Sequence, residues 1–387
     1  MRVAIITESF PPDVNGVAHS VLRVAELLAE YGHHPLVIAP QPPRERRRDS
    51  FPFPVVRVPA VPLPGYPSFR LGRPSHRVRD ALVTHRTEVV HLASPVCLGA
   101  HGAAVAGRLG LPAVAVYQTD LPAYARAYRL GRAGEAFAWR WLRRIHNSAA
   151  RTLAPSTATA TGLHAQGIGN VWLWGRGVDT ARFDPARRSQ ELRTALVPGR
   201  PGQAPGPELL VGYVGRLATE KRVDLLAGVA SLPGVRLVIV GSGPAEAAIR
   251  RAVPAALYLG QRGGDQLASI YASLDVFVHS GPHDTFGQTL QEAAASGLPV
   301  VAPAAGGPLD LVLDGTTGFL VAPGSAAALA AAVERLAADP ARRRAQGQAG
   351  RQMVAGRTWA ALCDELIGHY ADVLTWGQPA EREAVAA

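Results

Sequence analysis

Short apolar runs alternate with amphipathic segments through the first part of the chain. Residues 20–30 carry apolar side chains at helical spacing, with Val21, Val24 and Leu28 on one face. The apolar runs between such segments are only four or five residues long, which is typical of buried strands. This alternation predicts a parallel sheet covered by helices on both faces. The predicted strands are residues 3–6, 35–39, 55–58, 89–92 and 113–117, and the other predicted helices are residues 77–82 and 99–109.

The alternation restarts after a segment rich in proline and glycine. This segment, residues 197–208 (VPGRPGQAPGPE), is typical of a linker. The fold class is therefore α/β, with two doubly wound Rossmann-like domains that face each other across a cleft. The strands predicted in the second domain are residues 209–215, 236–243, 257–260, 275–280, 298–303 and 318–323. The predicted boundaries are an N-terminal domain at 1–185, a linker at 186–208, a C-terminal domain at 209–358, and a helix with a tail at 359–387 that crosses back to the N-terminal domain.

Residues 40–75 interrupt this pattern. Prolines crowd the segment, and residues 44–48 (RERRR) are nearly all basic. We predict an extended surface loop there.

Composition narrows the class of protein. Hydrophobic residues make up 48% of the 387 positions and charged residues 18%, which excludes disorder over most of the chain. The two cysteines, Cys97 and Cys363, argue against a disulfide framework or a cysteine zinc site and fit a reducing cytosol. The first apolar run is too short for a signal peptide, and no run of apolar residues is long enough to span a membrane. We therefore expect a cytoplasmic protein.

The net charge of +10 suggests a partner with negative charge. A nucleotide, an anionic lipid surface and a nucleic acid would each fit, and so would a general compositional bias toward arginine. Because the basic residues are scattered and form no patch interleaved with aromatic side chains, we expect no nucleic-acid partner.

The strongest local signal is the stretch 279–307, where a strand (DVFVH) ends in a polar loop and a helix follows. Ligands of open α/β sheets lie at the carboxyl ends of the strands, where Asp284 lies in the loop and Glu292 in the helix. Asp284 could reach sugar hydroxyls, Glu292 could accept hydrogen bonds from a ribose, and the Phe286 and Gly287 amides could meet a phosphate. Two solvated acids would explain the same spacing equally well.

Two further turns follow predicted strands. Arg216 and Lys221 in GRLATEK could bind one diphosphate, or they could form a solvated basic turn. Gly306 and Gly307 could let the backbone approach a ligand closely, or they could form a plain tight turn. At residues 241–246 (GSGPAE) a glutamate replaces the third glycine of a dinucleotide fingerprint, which argues against a nicotinamide-dependent dehydrogenase.

Nine motifs follow one another along nearly the whole chain in an order that is specific for one family. The chain resembles the retaining family-4 glycosyltransferases of the GT-B fold, and among them the actinobacterial GDP-mannose-dependent α-mannosyltransferases that act on glycolipids. The motifs are TESFPPDVNGV (7–17), VVHLASP (89–95), YQTDLPAYA (117–125), RTLAPS (151–156), WGRGVDTARF (174–183), VGRLATEK (214–221), VGSGP (240–244), DVFVHSGPHDTFGQTLQEAAASGLPVVAP (275–303) and GGPLDLV (306–312).

The resemblance implies roles for single residues. Arg216 and Lys221 would hold the donor diphosphate, Glu292 would bind the ribose, and Asp284 would contact hydroxyls of the transferred sugar. The Gly16 amide would approach the donor phosphate from the first domain. The catalytic set would be Arg216, Lys221, Asp284 and Asp120; the other donor-binding residues Gln261, Arg262, Phe286, Gly287, Gln288, Gly306 and Gly307; and the acceptor-side residues Gln118, Asp120 and Tyr124.

Two positions depart from the family pattern. Asp284 stands where the family has the first of two glutamates, so its carboxylate is one methylene shorter. Gln118 stands where many relatives have histidine, and an amide cannot titrate near neutral pH. Acid–base catalysis by residue 118 is therefore excluded.

The resemblance implies a retaining hexosyltransferase that transfers mannose from GDP-mannose to a glycolipid or a related acceptor. A UDP-sugar donor and a GT-B nucleotide-sugar epimerase are the alternatives. Neither a cofactor nor a metal ion is expected, since no Asp-x-Asp motif occurs and two cations and helix ends could hold the diphosphate.

A basic segment could bring the chain to an anionic membrane surface. Phe137, Trp141 and Ile145 recur every four residues, so we consider an amphipathic helix that admits a lipid acceptor. The alternative is a helix packed on its own domain with a wet basic face. The neighbouring residues that define this segment are Trp139, Arg140, Arg143 and Arg144, and residues 44–48 form a second basic candidate.

Overall fold

Two compact units make up the chain in a computed structural model. It describes residues 1–13, 15–43, 50–63, 66–94, 96–122, 126, 131–197 and 209–375. The first unit contains the chain up to Arg176 and again from Trp359, and the second contains Gly177–Thr358.

The first unit is built on a parallel sheet of seven strands. The sheet order is β3-β2-β1-β6-β7-β8-β9, so the chain runs outward from β1 first to one side and then to the other. The strands of this unit are β1 (Arg2–Ile6), β2 (His34–Pro40), β3 (Val55–Val58), β4 (Ala60–Leu63), β5 (Tyr66–Gly72), β6 (Val89–Leu92), β7 (Ala113–Val116), β8 (Arg151–Ala154) and β9 (Val171–Leu173).

Helices cover the first sheet. Helix α1 begins where the Asn15 side chain accepts hydrogen bonds from the Val17 and Ala18 amides, and its periodic apolar face is buried. The helices up to the end of β9 are α1 (Gly16–Glu30), α2 (His76–Thr84), α3 (Cys97–Arg108), α4 (Gly131–His146) and α5 (Thr157–Ala165). No helix in the described ranges is long and apolar enough to cross a membrane.

The prediction of an extended loop over residues 40–75 was wrong for part of that segment. Strands β4 and β5 pair antiparallel, with a register irregularity between Pro62 and Leu63. Proline cannot donate to a strand ladder, so the segment lacked the usual signature of a strand. Residues 44–48 lie outside the described residues.

A buried carboxylate connects this hairpin to the first sheet. Glu8, only 1% exposed, accepts hydrogen bonds from the Gly72 amide at 2.8 Å and from the Leu98 amide at the start of α3. Burial raises the pKa of Glu8 to about 7. The end of β1, the end of β5 and the first turn of α3 therefore meet at one side chain.

The last helix of the chain, Trp359–Thr375, belongs to the first unit. Its Tyr370 side chain is fully buried and hydrogen-bonds His91 of β6 across 2.6 Å. The Trp174 indole donates to the Leu362 carbonyl at 2.8 Å. Arg151 of β8 pairs with Asp372 at 2.8 Å.

The second unit is built on a parallel sheet in the order β12-β11-β10-β13-β14-β15. This is the strand order of a doubly wound dinucleotide-binding fold, with its switch point between β10 and β13. Its strands are β10 (Leu209–Val214), β11 (Val235–Val240), β12 (Leu257–Gly260), β13 (Val276–Val278), β14 (Val300–Pro303) and β15 (Gly318–Val321). Its α-helices are α6 (Gln190–Leu196), α7 (Ala227–Ala230), α8 (Glu246–Ala252), α9 (Gly264–Ser273), α10 (Gln288–Ala295), α11 (Pro308–Leu311), α12 (Ala326–Ala338) and α13 (Pro340–Val354), and 3₁₀ turns span Pro185–Arg187, Thr219–Lys221 and Val223–Leu226.

The predicted boundary at residue 185 and the predicted linker at 186–208 need correction. The first unit ends at Arg176, and the described part of the linker folds onto the second unit as a 3₁₀ turn and α6. Phe183 and Leu196 are buried in the core of that unit. The sequence pattern did not indicate this packing because few apolar residues carry it and ion pairs add to it. Residues 198–208 lie outside the described residues.

Asp275 supplies that charge pairing. Its carboxylate, 13% exposed, accepts hydrogen bonds from Arg188 at 2.8 Å, from Arg193 at 3.0 Å and from the Leu210 amide at 2.9 Å. Burial acts to raise the pKa of Asp275, but the hydrogen bonds outweigh it and hold the pKa below its usual range. The pairing of α6 with the start of β13 therefore depends on an ionised Asp275.

We expect Asp275→Asn to lower the free energy of unfolding of the second unit by about 3 kcal/mol, because it leaves a partly buried arginine without its charge partner. Chemical denaturation at neutral pH measures this loss. The ion pairs stabilise the fold above the ordinary aspartate pKa of about 4 and are lost as the pH falls through the lowered folded value. The difference between the two proteins should therefore shrink below about pH 4.

Asp265→Asn is the matched control, since Asp265 is 71% exposed and lies 3.5 Å from Arg182 and 3.4 Å from Arg187. Its exposed pairs should contribute little. Equal losses in the two variants would contradict the anchoring role of Asp275.

Candidate functional site

Two loops meet at the carboxyl edge of the second sheet. One follows β10 and contains residues 215–221, and the other follows β13 and contains residues 279–287. Because β10 and β13 are adjacent parallel strands, with Gly212 opposite Phe277, their loops leave the sheet side by side. This is the switch point of the sheet, where ligands of such folds bind.

Main-chain contacts hold the two loops together. The Ser280 hydroxyl donates to the Lys221 carbonyl at 2.8 Å. A Cβ atom on Gly281 would lie 3.2 Å from the Lys221 Cα atom, so glycine permits this approach. The Tyr213 hydroxyl, on a fully buried ring, donates to the Arg216 carbonyl at 3.2 Å. The backbone of the Arg216–Lys221 turn is thus fixed by the sheet and by the neighbouring loop.

The predicted cation and the predicted acid are paired with each other. Lys221 Nζ donates to Asp284 Oδ2 at 2.9 Å, across 63 positions of sequence. His279 Nε2 lies 3.3 Å from the same oxygen. Burial lowers the pKa of His279 to about 4, so its ring is neutral at physiological pH. Sequence reasoning gave His279 no role.

The sequence of 387 residues contains 40 lysine and arginine residues. Lys221 is the one lysine among them, and the other 39 are arginines. An ammonium is a compact point charge, whereas guanidinium is a planar fork. The single departure from arginine therefore falls at the predicted diphosphate position. This compositional signal supports the interpretation of GRLATEK as a site and was available in the sequence.

Glu292 lies in α10 and is half-buried. The Tyr271 hydroxyl, on a fully buried ring, donates to Glu292 Oε2 at 3.1 Å. Burial raises the pKa of Glu292 to about 7, although hydrogen bonds from Tyr271 and Gln288 act in the opposite direction. The Gln288 amide also donates to the Gly177 carbonyl at 3.1 Å. A carboxylate held in this way can accept hydrogen bonds from a diol.

The Gly306–Gly307 turn passes directly over the Asp284–Phe286 loop. The Gly307 amide donates to the Asp284 carbonyl at 2.8 Å. A Cβ atom on Gly307 would lie 1.8 Å from the Phe286 carbonyl oxygen, and one on Gly306, at φ +64°, would lie 2.5 Å from the Asp284 carbonyl oxygen. Glycine is therefore sterically required at both positions.

The Phe286 side chain packs into the core and is only 4% exposed. Its ring therefore does not line the site, and only its main chain is available to a ligand. Gly287, at φ +102°, precedes α10 without a side-chain cap. The contact predicted between these amides and a phosphate or sugar oxygen stays a prediction.

Gln261 and Arg262 follow β12 at the same carboxyl edge, two strands away from β10. The Ser242 hydroxyl lies 3.5 Å from Gln261 Oε1, and Arg262 donates to the Gln261 carbonyl at 3.2 Å. Both side chains are exposed and can meet a ligand that extends along the edge of the sheet.

The first unit assembles its own group around Arg176. Arg176 Nη2 donates to Gln118 Oε1 at 2.9 Å, and Nη1 would lie 2.8 Å from a Cβ atom on Gly16. Gly16 and Gln118 are therefore brought together by a side chain to which sequence reasoning gave no role. Its signal was its place in the motif WGRGVDTARF.

Asp120 accepts a hydrogen bond from the Tyr117 hydroxyl, and burial together with the Asp120 charge raises the pKa of that phenol. Tyr124, predicted on the acceptor side, lies outside the described residues. Within the described segments, no three His, Cys, Asp or Glu side chains are grouped as metal ligands.

Two family profiles match successive parts of the chain. Glycosyltransferase Family 4 matches residues 14–182, and Glycosyl transferases group 1 matches residues 200–353. A GDP-mannose-dependent alpha-mannosyltransferase of Mycobacterium tuberculosis is 49% identical over 96% of this chain and 96% of that protein. The chain belongs to glycosyltransferase family 4. A protein of the same name from Mycolicibacterium smegmatis is 49% identical to this glycosyltransferase over 97% of the chain and 98% of that protein.

The glycosyltransferase fold is also found in solved structures. Sucrose-phosphate synthase from Thermosynechococcus elongatus superposes with a TM-score of 0.78 at 21% identity, over 96% of this chain and 99% of that one. The predicted GT-B class of two α/β domains with parallel sheets is therefore confirmed.

We expect Gly307→Ala in this glycosyltransferase to displace the 284–286 loop, because its methyl group would overlap the Phe286 carbonyl. Strain of this kind lowers the free energy of unfolding by about 1–3 kcal/mol. Nucleotide-sugar affinity, measured by calorimetry, should fall as well. Gly356→Ala is the control, since nothing lies within 4 Å of a Cβ atom there. Unchanged affinity in the Gly307 variant would contradict the placement of the site.

Proposed function

We propose that this glycosyltransferase transfers a mannosyl residue from GDP-mannose, with retention of anomeric configuration, to a glycolipid or a related sugar acceptor. The observation that carries the donor assignment is the near full-length, 49% identity to two proteins named GDP-mannose-dependent alpha-mannosyltransferase. The grouping of Lys221, Asp284 and the Gly306–Gly307 turn at one sheet edge supports the proposal.

The donor contacts follow from the chemistry of each group. Lys221 and Arg216 bind the diphosphate, to which ammonium and guanidinium offer complementary hydrogen-bonding geometry. Glu292 accepts hydrogen bonds from the ribose. Asp284 accepts hydrogen bonds from hydroxyls of the transferred sugar, and the Gly287 amide at the start of α10 faces phosphate or sugar oxygens.

The transfer breaks the bond between the anomeric carbon and the terminal phosphate oxygen of the donor. A bond then forms between the same carbon and an acceptor hydroxyl on the same face, which retains the configuration. The acceptor proton passes to a phosphate oxygen of the departing diphosphate. The transition state resembles an oxocarbenium ion beside a developing diphosphate charge.

Electrostatic stabilisation of the leaving group is the main task of the protein in this scheme. Removing one preorganised donor at such a site costs about 2.7–4 kcal/mol of activation free energy. Gln118 acts only through hydrogen bonds, since its amide cannot titrate, and its carbonyl already accepts from Arg176. We further propose that the reaction needs no metal ion, because Arg216 and Lys221 supply the positive charge.

We expect GDP and GDP-mannose to raise the thermal midpoint of the wild type more than UDP, ADP or their sugars. A ligand at about 100 times its dissociation constant stabilises by roughly 2.7 kcal/mol. Lys221→Ala should fold normally but lose this stabilisation and most turnover. Arg222→Ala, which removes a neighbouring exposed cation paired with Asp224, should retain both.

A larger shift with UDP-sugars would overturn the donor assignment, and conversion of a nucleotide-sugar into its epimer without an acceptor and without net nucleotide release would favour an epimerase. Activity that EDTA abolishes and magnesium restores would contradict the metal-independent scheme.

Contact with an anionic membrane is a second part of the proposal, and α4 supports it in part. Ile145 is 3% exposed, and Trp141 packs against the same hydrophobic core of the first unit. These two side chains therefore stabilise the fold and are not available to a membrane. Phe137 is 66% exposed and stacks on Trp141 with ring centroids 6.1 Å apart. Arg140 is exposed three positions further along the helix. One exposed aromatic ring beside basic side chains suits an anionic surface.

We expect the wild type to sediment with vesicles that contain anionic phospholipid more than with neutral vesicles. Phe137→Ser should reduce this binding, since it removes the apolar side chain that would enter the interface. Val83→Ser is the control, because Val83 is 52% exposed in the same unit but lies on α2. Equal binding to neutral vesicles would refute the membrane contact.

A further inference from the structure

His279 is a buried polar residue that the proposed mechanism does not use. Its ring is 2% exposed, and among the described residues neither ring nitrogen makes a hydrogen bond of good geometry, although the Gly281 backbone lies close enough to act as a weak partner. Its backbone amide donates to the Val301 carbonyl at 2.8 Å, so strand pairing fixes where the side chain begins. Buried polar groups without a partner are uncommon, because they lose their hydration without compensation.

The ring lies beside the ion pair of the candidate site. Nε2 is 3.3 Å from Asp284 Oδ2, the oxygen that also accepts from Lys221 Nζ at 2.9 Å. The ring is neutral at physiological pH because burial disfavours the imidazolium. A neutral imidazole carries one N–H, so the tautomer protonated at Nε2 can donate to Asp284 without adding charge to the site.

The ion pair conflicts with the proposed roles of its two members. The Lys221 ammonium has three N–H donors but a single positive charge, so a phosphate oxygen competes with the Asp284 carboxylate for that charge. When the diphosphate attracts Lys221, the ammonium contact at Asp284 Oδ2 weakens. A donor that stays beside that oxygen can then keep the carboxylate in place, and the His279 ring lies there.

We propose that His279 is a positioning residue for the donor sugar, which donates from Nε2 to Asp284 Oδ2 when the diphosphate binds Lys221 and leaves Asp284 Oδ1 to accept from a sugar hydroxyl. This proposal rests on the proposed function of Asp284 and Lys221. It also gives a reason why aspartate can serve at this position, because a short side chain held at one oxygen presents the other in a defined direction.

The test compares binding of the free nucleoside diphosphate with binding of the nucleotide-sugar. His279→Phe keeps the volume of the ring and removes both nitrogens. We expect its affinity for GDP to stay within about twofold of the wild type, while its affinity for the nucleotide-sugar and its kcat/KM fall roughly 10- to 150-fold, the usual range for losing a hydrogen bond to a charged group. His279→Gln, whose amide N–H can reach the same oxygen, should recover most of this loss.

A double-mutant cycle decides whether His279 acts through Asp284. The variant that combines His279→Phe with Asp284→Ala should bind the nucleotide-sugar no worse than Asp284→Ala alone. Additive losses in the cycle would overturn the proposal, and so would an equal loss of GDP and nucleotide-sugar affinity in His279→Phe. No recovery in a folded His279→Gln variant would also count against it.

Failure of the proposed function looks different in these experiments. If the donor assignment is wrong, the wild type prefers a nucleotide-sugar other than GDP-mannose. The double-mutant cycle of His279 and Asp284 is then measured with that preferred nucleotide-sugar. The ratio of nucleotide-sugar to nucleotide affinity tests His279 in either case.

Discussion

The parallel pairing of β10 with β13 is the constraint on which the candidate site depends. Adjacent parallel strands end at one edge, so residues that are 63 positions apart in sequence must emerge side by side. The contacts of Ser280 and Gly281 with the Lys221 backbone then fix the two loops against each other. The Gly306–Gly307 turn, which follows the next strand in the sheet, closes over the Asp284–Phe286 loop by a carbonyl contact that only glycine permits.

The candidate site contains a positive and a negative side chain that form an ion pair with each other. Lys221 and Asp284 are both half-buried, and their ion pair offsets part of the free energy lost when the two charges leave water. Such a pair is also available for exchange, because a diphosphate offers the ammonium stronger acceptors than one carboxylate does. The neutral ring of His279 lies next to the oxygen that would be released. In the proposed scheme, donor binding is therefore a change of partners among groups that are already in place.

Arginine and lysine have distinct places in this glycosyltransferase. Arginine forms the structural ion pairs, as at Asp275, where planar guanidinium groups from Arg188 and Arg193 bind one carboxylate and anchor the segment before α6. It also joins Gln118 to the Gly16 turn through Arg176. The one lysine lies at the predicted diphosphate position, where a compact charge on a flexible stem can move between a carboxylate and a phosphate.

Much of the fold and part of the site followed from the sequence by itself. Apolar runs placed the strands of both parallel sheets, since strands buried on two faces have little polar sequence. The types and order of residues predicted a site in the loops after β10 and β13, and the structure brings these two loops together. The sequence could not show the β4–β5 hairpin or the attachment of residues 185–196 to the second unit, because both depend in part on contacts of single polar side chains, Glu8 and Asp275, with residues distant in sequence. Nor could it show that the Phe286 ring is buried or that His279 adjoins Asp284, because burial and side-chain approach depend on neighbours that are distant in sequence. Local sequence determined which elements form and which chemical groups they carry; only the tertiary structure decided which of those groups share a partner.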